Sequence, residues 1–491
     1  MNLTGLLLTG IILLPVSGII LLLLWRTASK MQAAIIAIIS EGLALIIPLM
    51  LLAQLKTGKP VTFSVPWIAT LGISFSLELN WLSLIFLLTE VLVTLAAMVY
   101  SLGEKTGEKA SSYYYSLLLL FSLGMSGTTL ADDVFLFYVF WELMLIASVL
   151  LILVWGSGDD RPRVALKYFI ITHIGSLLVL VCLITLQVQT GTASLAELTQ
   201  RAGSLPIGMQ TFLTLFFLIG FCIKMAIFPL HIWLPDAHTV APMPVTIVLA
   251  AAMLAMGTYG ILRFPLALFP LETMQKFAIW MMVAGVVSEI YGALMALAEN
   301  HIKRIIAYSS VSQMGYILFG LGSLTEQGMM GGIMHVVYHA IVKTLLFMVV
   351  GIILNATREK YIDKLGGLAK LLPVTSVCAA IGVLGISGMP PLGIFNSEWM
   401  IFAGGFQSGY PVFLTVISLI GSLFTVFYGL RFFGKIFFGD LKPSNSTGNP
   451  KKALLVPTIA VTVFLLIEGL VPAPLLTWVM RGLAAVFGGV S

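Results

Sequence analysis

The chain has 491 residues, of which 59% are hydrophobic and only 10% are charged, and its formal net charge is +5. A soluble globular domain carries about 25% charged residues, so this composition excludes a soluble protein and indicates a polytopic membrane protein. The basic excess does not indicate nucleic-acid binding, because the lysines and arginines collect in short loops that would face anionic lipid.

Fourteen apolar runs are long enough to cross a bilayer about 30 Å thick, which takes about 17 to 25 helical residues. In chain order these runs cover residues 4–24, 33–53, 81–100, 113–131, 132–155, 164–188, 211–234, 244–266, 276–298, 302–322, 328–354, 373–403, 410–433 and 453–474. We therefore predict an all-α membrane protein with about 14 transmembrane helices. The first run lacks a basic leader and a small-residue cleavage site, so we expect it to be a retained helix.

Most of the 26 lysines and arginines fall in loops that would be cytoplasmic if the N-terminus were outside. The positive-inside rule then predicts a protein of the cell (inner or plasma) membrane with both termini outside. After the last run, residues 475–490 are too few and too interrupted to cross again, and they could lie along the interface.

No metal or cofactor site is indicated by the sequence. The three cysteines, Cys182, Cys222 and Cys378, lie in apolar runs without CxxC spacing, which favours small core residues over metal or disulfide ligands. There is neither a GxGxxG motif after a strand nor a phosphate-binding loop. We therefore expect the chain to hold no redox centre of its own.

Two of the runs are interrupted by proline. The seventh contains Pro229 in KMAIFPLHIWLPDAH, and the twelfth contains Pro390 and Pro391 in ISGMPPLGIFNSEW. Proline frees backbone carbonyls at membrane depth, and these must be satisfied by water, side chains or neighbouring helices. Interrupted helices five runs apart predict two inverted five-helix repeats with broken helices 7 and 12, although two ordinary proline kinks would give the same pattern.

This interpretation divides the chain into four parts. We predict an N-terminal three-helix segment, two inverted repeats that each form a half-channel, and a C-terminal linker with the last helix. Their predicted ranges are 1–112, 113–266, 267–433 and 434–491.

Glu142 and Lys224 lie deep inside the fifth and seventh runs. A charge at the centre of a bilayer costs roughly 3 kcal/mol on insertion scales, so such residues usually mark an ion or proton path. If the two side chains approach to about 5 Å, an effective dielectric constant near 20 gives roughly 3 kcal/mol of coupling between their charges. Approach of the two side chains could therefore load the pair with a proton, and their separation could release it. The structural alternative is a static ion pair that joins two helices.

The eleventh run places His335, His339 and Lys343 at successive i+4 positions, hence on one face of a helix. Imidazole and amine groups at this spacing, with about 6 Å of rise per step, are typical of a proton relay. Two alternatives remain. The histidines could bind a metal, although HVVYH lacks the glutamate of the zinc-protease pattern, or they could be hydrogen-bonded core residues.

Glu398 follows the break in the twelfth run and could be an exit-side proton acceptor or a cap for exposed amides of the broken helix. Glu289 is another buried acid, for which the sequence suggests no partner. Further ionisable residues that could extend the paths are Lys167, His173, His231, Asp236 and His238. For Asp236, the alternative role is to cap a turn.

Several segments together resemble a known family. These are FWELM around Glu142, KMAIFPLHIWLPDAHTVAPMPV, MGTYGILRF, HIKRIIAYSSVSQMGY, YHAIVKTLLFMVVG and ISGMPPLGIFNSEW. Over residues 113–433 the chain is similar to the antiporter-like subunits shared by respiratory complex I (NADH-quinone oxidoreductase subunits L, M and N), Mrp Na⁺/H⁺ antiporters (their D component) and membrane-bound hydrogenases. The resemblance implies fourteen helices in two inverted repeats with helices 7 and 12 broken.

The resemblance also implies roles for individual residues. The Glu142–Lys224 pair would belong to the first half-channel and Glu398 would be the terminal acid of the second. The relay of the second half-channel would consist of His335, His339 and Lys343. One position departs from the family, whose members usually carry a lysine in the eighth helix where this chain has Ala255. Water could replace that lysine, the two halves could work separately, or the subunit could have lost pumping.

These observations favour a subunit that translocates protons, or exchanges Na⁺ for H⁺, within a multisubunit respiratory membrane complex of the complex I or hydrogenase type. Such a chain would be part of a redox-driven, proton-pumping oxidoreductase, with other membrane subunits and lipid as its partners. The first alternative is a D-like component of an Mrp cation/proton antiporter. The second is a structural subunit whose proton path is interrupted at Ala255.

Overall fold

The structure is a computed structural model that describes residues 3–108, 110–442 and 451–487, and it consists almost entirely of helices. In chain order the α-helices are α1 Leu3–Leu24, α2 Lys30–Leu55, α3 Trp81–Ser101, α4 Ser111–Leu130, α5 Val134–Trp155, α6 Arg161–Thr190, α7 Leu195–Arg201, α8 Ile207–Met225, α9 Leu234–Val240, α10 Met243–Val248, α11 Leu254–Arg263, α12 Pro265–Leu268, α13 Leu271–Ala298, α14 Ile302–Gly322, α15 Glu326–Thr357, α16 Pro373–Ile386, α17 Gly393–Gln407, α18 Val412–Phe437, α19 Lys452–Leu470 and α20 Ala473–Phe487. The predicted helical membrane fold is confirmed.

Within the described residues, twelve helices are long and apolar enough to cross a membrane, with Met243–Leu268 counted as one. The two other predicted spans correspond to helices that are not long or apolar enough to be counted among these twelve. The fourth corresponds to the more polar α4, and the twelfth is divided between α16 and α17. The number of crossings, fourteen, stays a prediction.

A β-hairpin between α2 and α3 was not predicted. Strands β1 Val61–Ile68 and β2 Ile73–Leu79 pair antiparallel, with Val61 opposite Leu79. Gly72, at φ +66°, sits in the left-handed conformation that lets the chain reverse before β2. The alternating pattern ISFSLEL is a strand signal of period two, but it lies between two long apolar runs that dominate the local composition. The all-α prediction therefore missed this element.

Both predicted helix breaks are present. Helix α8 ends at Met225, where Ala226 adopts φ +58°, and α9 begins only at Leu234. Helix α16 ends at Ile386, and α17 resumes at Gly393. The peptide bonds before Pro229 and Pro391 are cis. The breaks are similar in kind, and their relation by an inverted repeat stays a prediction.

The segment Met243–Leu268, helix α14 and helix α15 form the centre of the molecule, where almost all of their residues are buried. The outer helices, including α1, α6 and α18, bury well under half of their residues and leave apolar side chains for lipid. One turn of the central segment is π-helical, over Leu249–Met253. Such π turns often occur at functional sites, and this one directly precedes the helix that contains Ala255.

Helix α20 packs against α3 through its aromatic and basic residues. The rings of Trp478 and Trp81 are 6.2 Å apart, and the guanidinium of Arg481 lies 4.9 Å from the centre of the Trp81 ring. At fifteen residues, α20 is short for a transmembrane helix. Its predicted place along the interface is not tested by these contacts, and residues 443–450 of the preceding linker lie outside the described residues.

Candidate functional site

The first cluster of ionisable residues surrounds the break after α8. Lys224 lies in the last turn of α8 and is buried, with its Nζ 5.1 Å from the centre of the Trp141 ring. Trp141 is oriented by its indole nitrogen, which donates a 2.9 Å hydrogen bond to Ser176. The face of the Trp141 ring attracts the Lys224 ammonium without placing a negative charge in the membrane.

Glu142 and Lys224 do not form an ion pair within 4 Å, so the static ion pair considered as an alternative is absent in this state. The Oε2 of Glu142 instead lies 3.3 Å from Nδ1 of His173 on α6. Glu142 nevertheless exerts a Coulomb interaction on Lys224. The structure thus places His173 beside the acid of the predicted pair, and leaves the acid and the amine near each other without contact.

An ion-pair network lies at one end of this cluster. Asp236 in α9 accepts hydrogen bonds from Lys167 at 2.7 Å and from Arg304 at 2.8 Å. Its carboxylate therefore joins α6 to α14 and does not cap a turn. Arg304 also binds Glu299 at 2.7 Å. Sequence reasoning missed Arg304 and Glu299, because both lie at a loop boundary where charged residues are common.

Glu299 lies between α13 and α14, outside the membrane-spanning helices. Partial burial by itself would raise its pKa, but hydrogen bonds from the His301 amide and from Arg304 outweigh burial and hold the pKa below its usual value. Glu299 therefore stays ionised and keeps Arg304 in position near Asp236.

Two buried histidines follow the first break. The ring of His231 lies 4.9 Å from the Tyr291 ring, and its Nδ1 has no hydrogen-bond partner among the described residues. His238 stacks on Phe347 of α15 at 5.4 Å, and neither of its ring nitrogens has a partner in the described part of the chain. Lys303 and Lys343 both act electrostatically on His238, and its neighbour Phe347 lies on the helix that carries the second cluster, so this imidazole lies near the second cluster.

The second cluster follows the buried face of α15, as predicted. His335, His339 and Lys343 are all buried on this helix. The ring of His335 is held at both nitrogens, with Nδ1 3.0 Å from the Ser397 hydroxyl and Nε2 2.9 Å from Oε1 of Gln313. Two fixed contacts orient the imidazole between α14 and α17.

Lys343 and His339 differ from His335 in their surroundings. The Lys343 ammonium donates to the carbonyl of Ile306, at 3.0 Å, and to the Ser309 hydroxyl. Nε2 of His339 has no partner within the described residues. The three side chains therefore lie in a row without direct hydrogen bonds between them, so proton transfer along the row requires bridging water.

Glu398 is buried at the second break. Its carboxylate packs against Gly388, at φ +63°, where any Cβ would overlap it. Among the described residues no backbone amide of the break donates to Glu398, so the capping role considered from the sequence has no supporting contact, and Oε1 is unpartnered. The structure therefore places a buried carboxyl group with an unpartnered oxygen at the second break.

Glu289 on α13, which had no evident partner in the sequence, is next to this second acid. Its Oε2 accepts a 2.5 Å hydrogen bond from Ser418 on α18. Tyr316 lies near Glu289 and Glu398 and also packs 5.6 Å from the His335 ring. Tyr316 therefore connects the histidine end of the second cluster to both carboxyl groups.

Ala255 is buried in α11 and provides no titratable group between the two clusters. The nearest tyrosine in the same helix, Tyr259, is held by a 2.7 Å hydrogen bond from its hydroxyl to the carbonyl of Thr129. The imidazole of His238, on helix α9, is a titratable group on which both Lys303 and Lys343 act electrostatically.

Comparison with known proteins identifies the family of the chain. Residues 131–425 match the family described as NADH:quinone oxidoreductase/Mrp antiporter, TM. NADH-quinone oxidoreductase subunit M of Escherichia coli (strain K12) is 35% identical over 468 residues, which cover 90% of each chain.

Two solved structures share the fold. A chain of respiratory complex I from Thermus thermophilus with bound NADH aligns with a TM-score of 0.86 and 26% identity, covering 98% of this chain and 100% of that chain. A chain of the Mrp complex from Dietzia sp. aligns with a TM-score of 0.90 and 22% identity, covering 99% of this chain and 98% of that chain. The resemblance inferred from the sequence is confirmed: this multi-pass membrane protein belongs to the NADH:quinone oxidoreductase/Mrp antiporter transmembrane family.

Proposed function

We propose that this chain is a proton-translocating subunit of a multisubunit respiratory membrane complex, driven by electron transfer in partner subunits. The observation that carries the proposal is the placement of buried acids, imidazoles and lysines at two helix breaks inside the membrane domain. Buried charges are costly in a bilayer and are usually kept for transport. The relatives named NADH-quinone oxidoreductase subunit M support the type of parent complex.

In the first half-channel, His173 would deliver a proton to Glu142 across their 3.3 Å contact. Neutralising the carboxylate removes its attraction for the Lys224 ammonium, which at about 5 Å and a dielectric constant near 20 is worth roughly 3 kcal/mol. Lys224 then releases its own proton more easily. The pair would act as a switch in which the charge of one member sets the proton affinity of the other.

In the second half-channel, the proton would pass along Lys343, His339 and His335 and leave through the acids at the second break. Each imidazole can accept a proton at one nitrogen and release another from its second nitrogen. Water would connect the side chains, because they share no direct hydrogen bond. Glu398 would be the terminal acid, with Glu289 as a neighbour that influences its charge.

We further propose that the two clusters work in series and that His238 connects them. The half-channels would correspond to residues 113–266 and 267–433, flanked by an N-terminal segment of residues 1–112 and a C-terminal segment of residues 434–491. Both termini would lie outside, since this orientation places most basic loops in the cytoplasm.

A second candidate is a structural subunit with an interrupted path. It is favoured by one observation, Ala255 at the centre of the molecule. A third candidate, an Mrp-type exchanger driven by ion gradients, is favoured by the family description, which covers both kinds of complex. An exchanger would move protons without an electron donor, whereas the proposed subunit would not.

The experiment compares Glu142→Gln with wild type in the purified parent complex reconstituted into proteoliposomes. We expect coupled proton uptake to fall to background while assembly is unchanged, since glutamine preserves size but not charge. Glu197→Gln is the matched control, because Glu197 forms only an exposed ion pair with Arg201, at 2.8 Å. Wild-type uptake in Glu142→Gln would refute the proposal, and uptake driven by a Na⁺ gradient alone would favour the exchanger.

A further inference from the structure

Two buried carboxyl groups lie in the N-terminal segment, outside both half-channels. Glu41 on α2 is 1% exposed and Glu90 on α3 is fully buried. Neither forms an ion pair with a lysine, arginine or histidine within the described residues. Nothing in the proton path proposed above uses these two groups. Because isolated buried carboxylates are costly, their charge must be compensated by something other than a basic side chain.

The hydrogen bonds of this cluster contain one more contact than the hydroxyl groups can supply. The Ser122 hydroxyl contacts both Oε1 of Glu41 and Oε2 of Glu90, the latter at 3.1 Å. The Ser126 hydroxyl contacts Oε1 of Glu90. Each hydroxyl has one proton to donate, and an ionised carboxylate can only accept. The third contact is a full hydrogen bond only if one of the carboxyl groups carries a proton.

Electrostatics lead to the same conclusion. Two acceptors of one hydroxyl lie no more than about 6 Å apart, twice the length of a hydrogen bond. Carboxylates this close in a buried site do not both ionise, and such pairs share one proton. Oε2 of Glu41 is buried and has no partner among the described residues, so an ionised Glu41 would keep one carboxylate oxygen buried without a hydrogen-bond donor.

Two helices that pack against α2 offer no competing charge. Helices α1 and α4 contain no acidic or basic residue within their bounds, although α4 carries Tyr113, Tyr114 and Tyr115. The other charged residue of α2, Lys30, lies at the start of the helix and donates to the carbonyl of Glu104. The charged group that acts on Glu90 is Glu41.

We propose that Glu41 and Glu90, bridged by Ser122, form a proton-binding site that holds one shared proton at neutral pH. This site is a third protonatable position in the subunit, in addition to the two half-channel clusters. The proton is neither a substrate nor a product of a chemical step here. It binds to one carboxyl oxygen, hydrogen-bonds through the Ser122 hydroxyl to the other carboxylate and leaves a net charge of −1 on the pair.

Infrared spectroscopy of the full-length chain in lipid at pH 7 tests the proposal. The wild-type spectrum minus that of Glu41→Gln/Glu90→Gln should contain one carboxylic acid carbonyl band and one carboxylate band per chain. Glu197→Gln, the control, should remove one carboxylate band only. Loss of two carboxylate bands would overturn the proposal. If those two bands also differed between spectra recorded in sodium chloride and in choline chloride, the site would bind Na⁺ instead of a proton. Loss of two acid bands would overturn it as well.

Ser122→Ala keeps both carboxyl groups and provides an independent variant if the double variant does not fold. Because alanine removes the bridging hydroxyl, the acid carbonyl band should persist and shift in frequency. An unchanged band, or an absent one, would contradict the proposed bridge.

Discussion

The two clusters of ionisable residues contain similar side chains but differ in how acid and base are arranged. In the first, Glu142 contacts His173 and lies near Lys224, and an ion-pair network around Asp236 lies at one end of the cluster. In the second, Lys343 is bonded to neutral oxygens, and the acids are separated from it at the other end of the cluster. Charges in the first cluster can therefore be neutralised by neighbouring side chains, whereas proton movement through the second cluster depends on water.

The largest expected effect comes from Lys343→Ala in the second cluster. We expect coupled proton uptake in the parent complex to fall to background, because no other amine lies on the buried face of α15. Proton uptake into proteoliposomes at constant electron-transfer rate measures this. Retained uptake would show that water alone carries protons through the second cluster. Lys364→Ala, in the loop after α15, is the control.

The variant His173→Gln tests whether protons enter the first cluster through the imidazole of His173. Glutamine can hydrogen-bond to Glu142 but cannot transfer a proton, so we expect the rate of coupled uptake to fall at least about tenfold, toward the roughly 100-fold or more that is typical of a lost acid–base group. Because His173 is about one-third exposed, water should support some residual transfer. A rate equal to wild type would remove His173 from the path.

The variant His238→Gln tests whether the two clusters are connected through the imidazole of His238. We expect a fall of about tenfold or less in coupled uptake, smaller than for the residues above, since water can bridge part of the gap. Adding Ala255→Lys to this variant should restore part of the loss by placing an amine between the clusters. If His238→Gln has no effect, or if the lysine restores nothing, the clusters are not connected through this imidazole.

The last prediction concerns stability instead of transport, at Asp132 between α4 and α5. Burial and the nearby Glu78 carboxylate raise the pKa of Asp132 to about 6, although the opposite charge of Arg263 acts to lower it. An acid with a raised pKa in the folded state destabilises that state as pH rises from about 4 to about 6, here by about 3 kcal/mol.

The melting temperature of the solubilised protein measures this dependence. We expect Asp132→Asn to lose the fall in melting temperature over that pH range, whereas Asp159→Asn, at an exposed position, should keep it. The same fall in both variants would mean that Asp132 is not responsible.

The sequence predicted the helical membrane fold, the two breaks and the buried face of α15, because apolar length, proline and i+4 spacing are local signals. It did not predict the hairpin β1–β2, whose short alternating pattern is weak beside long apolar runs. It also missed the contact of Ser418 with Glu289 and the bridge from Ser122 to two carboxyl groups. Serine is common in such helices, and only packing of residues distant in sequence shows which hydroxyl meets which acid.

The most direct test of the account is the number of protons translocated per electron by the reconstituted parent complex carrying Lys224→Ala, Lys343→Ala or both. If the clusters act in series, each single substitution should cause the full loss and the double variant should lose no more. Partial losses that add in the double variant would contradict a single path through the subunit.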